Sequence, residues 1–113
     1  MIRVHRLQGA RDFRALFRFG RRRESLFFKI STRQNNMGFS RFAFIVPKSV
    51  DKRAVMRNRL RRRTREWVRT RLSSSFPALD VAVFFKKDAK DATQKEFYKD
   101  LSSLFRYYAE NSK

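Results

Sequence analysis

Residues 51–72 read DKRAVMRNRLRRRTREWVRTRL, and the rest of the chain is best understood outward from them. Between Lys52 and Arg71 there are ten Lys or Arg in twenty residues, against the single acid Glu66. A thin apolar seam nevertheless persists. At 100° per residue Met56, Leu60 and Trp67 fall within about 40° of one another, while Asn58, Arg61, Arg62, Arg65 and Arg69 occupy the far side. The pattern predicts a helix that packs along one edge and turns the rest toward a polyanion. A twenty-residue helix is about 30 Å long, and cations this dense repel one another unless a partner neutralises them. Nucleic acid is the natural partner.

The totals bound what surrounds this helix. The chain has 113 residues and no Cys, which predicts one domain of cytosolic type without disulfide or thiolate-metal chemistry. Thirteen Phe and an apolar share of 42% supply a core despite 35% charged residues. No run approaches 18 apolar residues and the opening MIRVHRLQGARDF lacks a hydrophobic segment, so neither a membrane span nor a signal peptide is expected. Charge is uneven. Residues 1–75 hold 22 Lys or Arg and 4 acids, a net +18, whereas residues 76–113 hold 7 and 6, a net +1. The binding surface is therefore expected in the first two thirds. Arg dominates there, and guanidinium forks suit phosphates and bases better than a simple lipid surface.

Along the chain, Asp12 to Phe19 predicts a short helix with Phe13, Leu16 and Phe17 on its apolar edge and Gly20 as a stop. Arg21, Arg22 and Arg23 read as a charged turn, and Leu26 to Ser31 as a strand. Asn35, Asn36 and Gly38 mark a turn before Phe39 to Val46, a strand apolar on both faces that Pro47 closes. The basic helix then follows, capped by Asp51 and ended by Ser73, Ser74, Ser75 and Pro77. Asp80 to Phe85 reads as a buried strand. Thr93 and Glu96 form a capping box ahead of a helix whose Phe97, Leu101, Leu104, Phe105 and Tyr108 share one face. The order is α-β-β-α-β-α: an α/β (α+β) single-domain sandwich, helices packed on a central sheet.

Within that frame KRAVMRNRLRRRTRE (residues 52–66) resembles the RNR signature of the bacterial ribonuclease P protein subunit. The Arg57-Asn58-Arg59 triplet, the basic pair Arg61 and Arg62 and the Arg65-Glu66 pair carry the likeness. DFRALFRFG resembles that family's first helix with its aromatic pair, FAFIVPK the strand leading into the RNR helix, and ATQKEFYKDLSSLFRYY its last helix. The resemblance implies a mixed sheet with a left-handed βαβ crossover, an exception to the usual hand. It implies a protein partner of a catalytic RNA, the two together removing the 5′ leader from precursor tRNA. It further implies that Arg57, Asn58, Arg59, Arg61, Arg62, Arg65 and Arg69 meet the ribonuclease P RNA, and that Phe13, Phe17 and Lys48 line a cleft for the single-stranded leader. Two positions depart from the pattern: Ser49 follows Lys48 where a second lysine is common, and Arg63 stands where an apolar residue is common. The stem of Arg63 is expected to cover core while its head reaches out.

Protein-based catalysis is not expected. Asp12, Glu24, Asp51 and Glu66 are scattered, the other six acids lie in the near-neutral last third, and His5 is solitary and reads as tail. The chemistry would belong to the RNA and its bound Mg²⁺, with no metal held by protein ligands and no obligate protein partner. A structural ribosomal protein and a nonspecific DNA-binding protein are the competing readings of the same charge.

Overall fold

A computed structural model describes residues 3–72 and 76–111, so the Ser73 to Ser75 part of the expected helix stop lies outside the described residues, while Pro77 lies within them. The elements are β1 (His5–Arg6), α1 (Ala10–Phe19), β2 (Arg21–Glu24), β3 (Phe28–Gln34), β4 (Arg41–Ile45), α2 (Ala54–Arg71), β5 (Leu79–Phe85), a 3-10 turn (Lys87–Asp91) and α3 (Gln94–Asn111). The expected order is kept, with a short strand added at each edge of the sheet. Spatial strand order is β1-β4-β5-β3-β2. β4 runs parallel to β1 and β5, whereas β3 runs antiparallel to β5 and β2, so the sheet is mixed. β4 and β5 are parallel neighbours joined through α2, which makes the βαβ unit.

The two edge strands correct two expectations. Arg21 to Arg23 is strand and not turn: Arg21, Arg22, Arg23 and Glu24 pair with Thr32, Ser31, Ile30 and Lys29. A row of charged residues has no alternation of apolar and polar to betray a strand, and on an exposed edge it blocks further pairing. His5 is likewise no tail; it pairs with Arg41 in β1, and its ring lies 4.1 Å from that of Phe39.

The register sends Phe28, Ile30, Phe42, Val81, Val83 and Phe85 to one face, where Val68 of α2, Leu72 just past its end, and Phe97, Leu101, Leu104, Phe105 and Tyr108 of α3 bury them. Every apolar position foreseen on α3 is in this core. The capping box forms as read: the Thr93 amide donates to Glu96 Oε1 (2.9 Å) and the Glu96 amide to Thr93 Oγ1 (3.1 Å). Buried Asp100 of α3 accepts from Ser25 Oγ at 2.7 Å and from the amides of Leu26 and Phe27 at 3.2 and 3.0 Å, fastening α3 to the β2–β3 connection.

The opposite face carries only α1, through fully buried Leu16 and half-buried Phe13, against Ala43, Ile45, Ala82 and Phe84. Gly20 does end α1, but by closeness and not by a left-handed turn: its φ is −72°, and a Cβ there would meet the Leu16 carbonyl oxygen at 2.3 Å and Ser31 Oγ at 2.8 Å. The N-terminal end of α1 is tied down by charge. Arg41 donates to Asp80 through Nε (2.8 Å) and Nη2 (2.6 Å) and to Asp12 through Nη1 (3.2 Å). These bonds raise the already high guanidinium pKa, the Asp80 bond foremost.

Candidate nucleic-acid interface

α2 does not present the face that its apolar residues suggest. The residues most deeply buried on it are Thr64 and Val68, with Leu60 and Trp67 only partly covered and Met56 half-exposed. On the helical wheel this turns the packed edge by roughly 80° from the Met56–Trp67 seam. Thr64 can take the central place because its hydroxyl donates to the Leu60 carbonyl at 2.8 Å, which leaves only a methyl facing the core. Arg63 lies exposed, its head free to reach out.

The rotation splits the basic residues into groups with different surroundings. Asn58, Arg61, Arg62 and Arg65 descend into a cleft of about 530 Å³, whose other walls are Phe13 of α1, Arg6 and Leu7, and Phe42 to Ile45 of β4. Within it Arg61 donates to Asn58 Oδ1, and Arg65 reaches the Val4 carbonyl at 3.3 Å. Arg59 and Arg62 are exposed and bond to no described residue. Arg69 forks onto Glu66, donating from Nε at 3.0 Å, and the guanidinium holds that carboxyl below its ordinary range. Arg57 turns back to the preceding loop, donating through Nη1 to the carbonyls of Asp51 (3.0 Å) and Lys52 (2.8 Å). It braces the start of α2, and this intramolecular use was not foreseen.

Asp51 does not cap the helix. The N-cap is Arg53, without a side-chain cap bond. Asp51 sits two residues earlier and accepts from the Arg53 amide at 2.9 Å and from its guanidinium at 3.1 and 3.0 Å, which pulls the carboxyl down to about 2. A capping side chain accepts from an N–H two or three positions into the helix, whereas the Asp51 carboxylate is taken up by the amide and guanidinium of the N-cap residue itself.

The expected leader residues are divided in the same way. Phe13 and Phe17 stack with ring centroids 6.0 Å apart, but only Phe13 lines the cleft beside α2. Phe17, 39% exposed, leans on Phe84 (5.5 Å) over a second depression of about 510 Å³ on the bare sheet, floored by Ser31 and edged by Arg22 and Lys29. The two rings thus bridge adjoining hollows. Lys48 is exposed in the turn after β4 and lines neither. Sequence reasoning missed Phe84, Arg22 and Lys29. No local signal joined them: that Arg22 shares a face with Ser31 follows only from the β2–β3 register.

Among the described carboxylates only Glu24 lines either hollow, the second one. Glu24 pairs with Lys86, Asp12 and Asp80 with Arg41, Asp51 with Arg53 and Glu66 with Arg69. Among the described residues no three His, Cys, Asp or Glu side chains converge as metal ligands. What the surface offers is cations, the amides of Gln8 and Asn58 and aromatic faces, which suit phosphates, ribose hydroxyls and unpaired bases.

The family model described as Ribonuclease P matches residues 1–109. The ribonuclease P protein component of Aliivibrio salmonicida is 36% identical over 100 residues, covering 88% of this chain and 85% of that one, and its counterpart from Coxiella burnetii is 30% identical over 108 residues, covering 96% and 88%. Among solved structures, the Thermotoga maritima RNase P protein superposes with a TM-score of 0.78 at 27% identity, covering 91% of this chain and 96% of that one. The Staphylococcus aureus protein gives 0.77 at 25%, covering 90% and 96%. Sequence along nearly the whole length and backbone shape agree, and the chain belongs to the bacterial ribonuclease P protein family.

Proposed function

We propose that this ribonuclease P protein component docks on the ribonuclease P RNA along α2 and holds the single-stranded leader of precursor tRNA in the hollows bridged by Phe13 and Phe17. The observation that carries the reading is the junction of two chemistries at one cleft: Asn58, Arg61, Arg62 and Arg65 on one wall and Phe13 on the other. Cations bind phosphate without regard to sequence, and an exposed ring stacks on any unpaired base, so a leader of arbitrary sequence can be held. Arg59, exposed and outside the cleft, remains available to the RNA subunit, and Asn58 can both donate to and accept from ribose hydroxyls. By placing cations between two RNAs the protein screens their repulsion and raises substrate affinity.

The protein works as part of an endoribonuclease that matures tRNA 5′ ends, and a structural ribosomal role is not favoured by its relatives. Bond cleavage is assigned to the RNA with its Mg²⁺. The donor set supports this, because among the described residues the carboxylates are paired with cations and form no cage for the ion. No helix of the described residues is long and apolar enough to cross a membrane. We place the particle in the cytoplasm, formed without an obligate second protein. The test is reconstitution with a bacterial ribonuclease P RNA at low Mg²⁺. Cleavage of precursor tRNA should rise on adding the protein, and tighter binding of precursor than of mature tRNA should depend on Phe17. No stimulation would refute the reading.

A further inference from the structure

A third depression, of about 500 Å³, opens between the end of α2 and α3, away from Phe13 and Phe17. Its floor is aromatic: Trp67 and Phe105 have ring centroids 5.7 Å apart, and half-buried Tyr98 lies alongside. Its rim is cationic, formed by exposed Arg71, Lys99 and Arg106, and among the described residues no carboxylate lines it. Lys99 and Arg106 are seven residues apart and so share one face of α3, about 10 Å from each other. They stand out in a chain segment whose net charge is close to zero. The volume falls within the roughly 300–1,000 Å³ of ordinary ligand sites.

We propose that this groove is a second single-stranded RNA site that takes an unpaired nucleotide of the ribonuclease P RNA, its base against Trp67 and Tyr98 and its phosphates on Arg71, Lys99 and Arg106. An acidic peptide would satisfy the cations but make no use of the flat rings, whereas a nucleotide uses both. The geometry also supplies the source. From exposed Arg59 to Arg71 is about 18 Å along α2 and about 120° around it, so an RNA lying on the outer face of that helix reaches the groove by wrapping the helix's C-terminal end. The groove's chemistry is independent of the leader reading; only the identity of the occupant rests on α2 docking to the RNA.

Trp67 is the only tryptophan in the chain, so its fluorescence reports on this groove alone. Titrating the intact protein with a short oligoadenylate should quench it saturably. Lys99→Gln with Arg106→Gln should weaken that response roughly tenfold, with thermal unfolding unchanged, whereas Phe17→Ala should leave it intact. The same double variant should bind the ribonuclease P RNA several-fold more weakly while keeping its preference for precursor over mature tRNA. Quenching untouched by the double variant, or produced by polyglutamate and not by oligoadenylate, would overturn the site. Unaltered affinity for the ribonuclease P RNA would overturn its assigned occupant. Loss of precursor preference in the double variant would show that the groove belongs to the leader path and is no separate site.

Discussion

The two faces of one sheet divide this protein's labour. On the face covered by α2 and α3, the aromatic side chains Phe28, Phe42, Phe85, Phe97 and Phe105 are all but fully buried. On the face carrying α1, a helix of ten residues cannot roof five strands, and Phe13, Phe17 and Phe84 stay partly open beside Arg22, Lys29 and Arg41. Residue type does not separate the two sets, since both are rich in Phe. Cover does. A ring that is buried contributes transfer free energy to folding, and a ring left half-roofed keeps a face for a base.

The contrast can be attacked first at its closed side. Phe105→Ala removes a fully buried ring that touches Trp67, Phe42 and Phe76, and it should cost about 3–5 kcal/mol in urea unfolding, with RNA binding lost only as the fold is lost. Next is the polar anchor between the faces. Asp80→Asn leaves Arg41, a mostly buried partner, with only the more exposed Asp12 as counter-charge, and should destabilise by about 1–3 kcal/mol while loosening α1, so that unfolding and precursor preference both suffer.

Phe17→Ala tests the open side. Chemical denaturation should register only about 1 kcal/mol, the worth of an aromatic pair, yet precursor tRNA should bind about 1–3 kcal/mol more weakly while mature tRNA is little affected. Equal weakening of both substrates would mean that Phe17 is core after all, and the distinction between faces would fail. Arg62→Gln, on the exposed flank of α2, should leave melting unchanged and reduce the slope of log affinity against log salt by about 1, measured across a potassium chloride series.

The smallest effect concerns acid. The Arg53 guanidinium and amide depress the Asp51 carboxyl from its ordinary 3.8 to about 2. A depressed carboxyl stabilises the fold at pH above the unfolded value and ceases to do so as pH falls through the folded one. Stability should therefore decline slightly between about pH 4 and pH 2, and Asp51→Asn should remove that increment of the decline in urea midpoints taken across the range.

Much of this was legible in the sequence for a simple reason. Periodicity, turn residues and capping chemistry are local, so α3 with its Thr93–Glu96 box, the strands around Phe42 and Val83, and the cationic helix at Asn58 all follow from neighbours a few positions apart. What stayed hidden is decided between elements. Arg21 to Glu24 becomes a strand because Phe28–Gln34 offers it an edge. α2 turns its Thr64 edge inward because the hydroxyl finds its own helix's carbonyl, which sends Asn58, Arg61, Arg62 and Arg65 into the cleft and leaves Arg59 outside. Charge density and the wish to bind RNA were written in the chain. Which cations, and which half of the phenylalanines, would meet that RNA was decided by tertiary packing, because one helix covers less of a sheet than two.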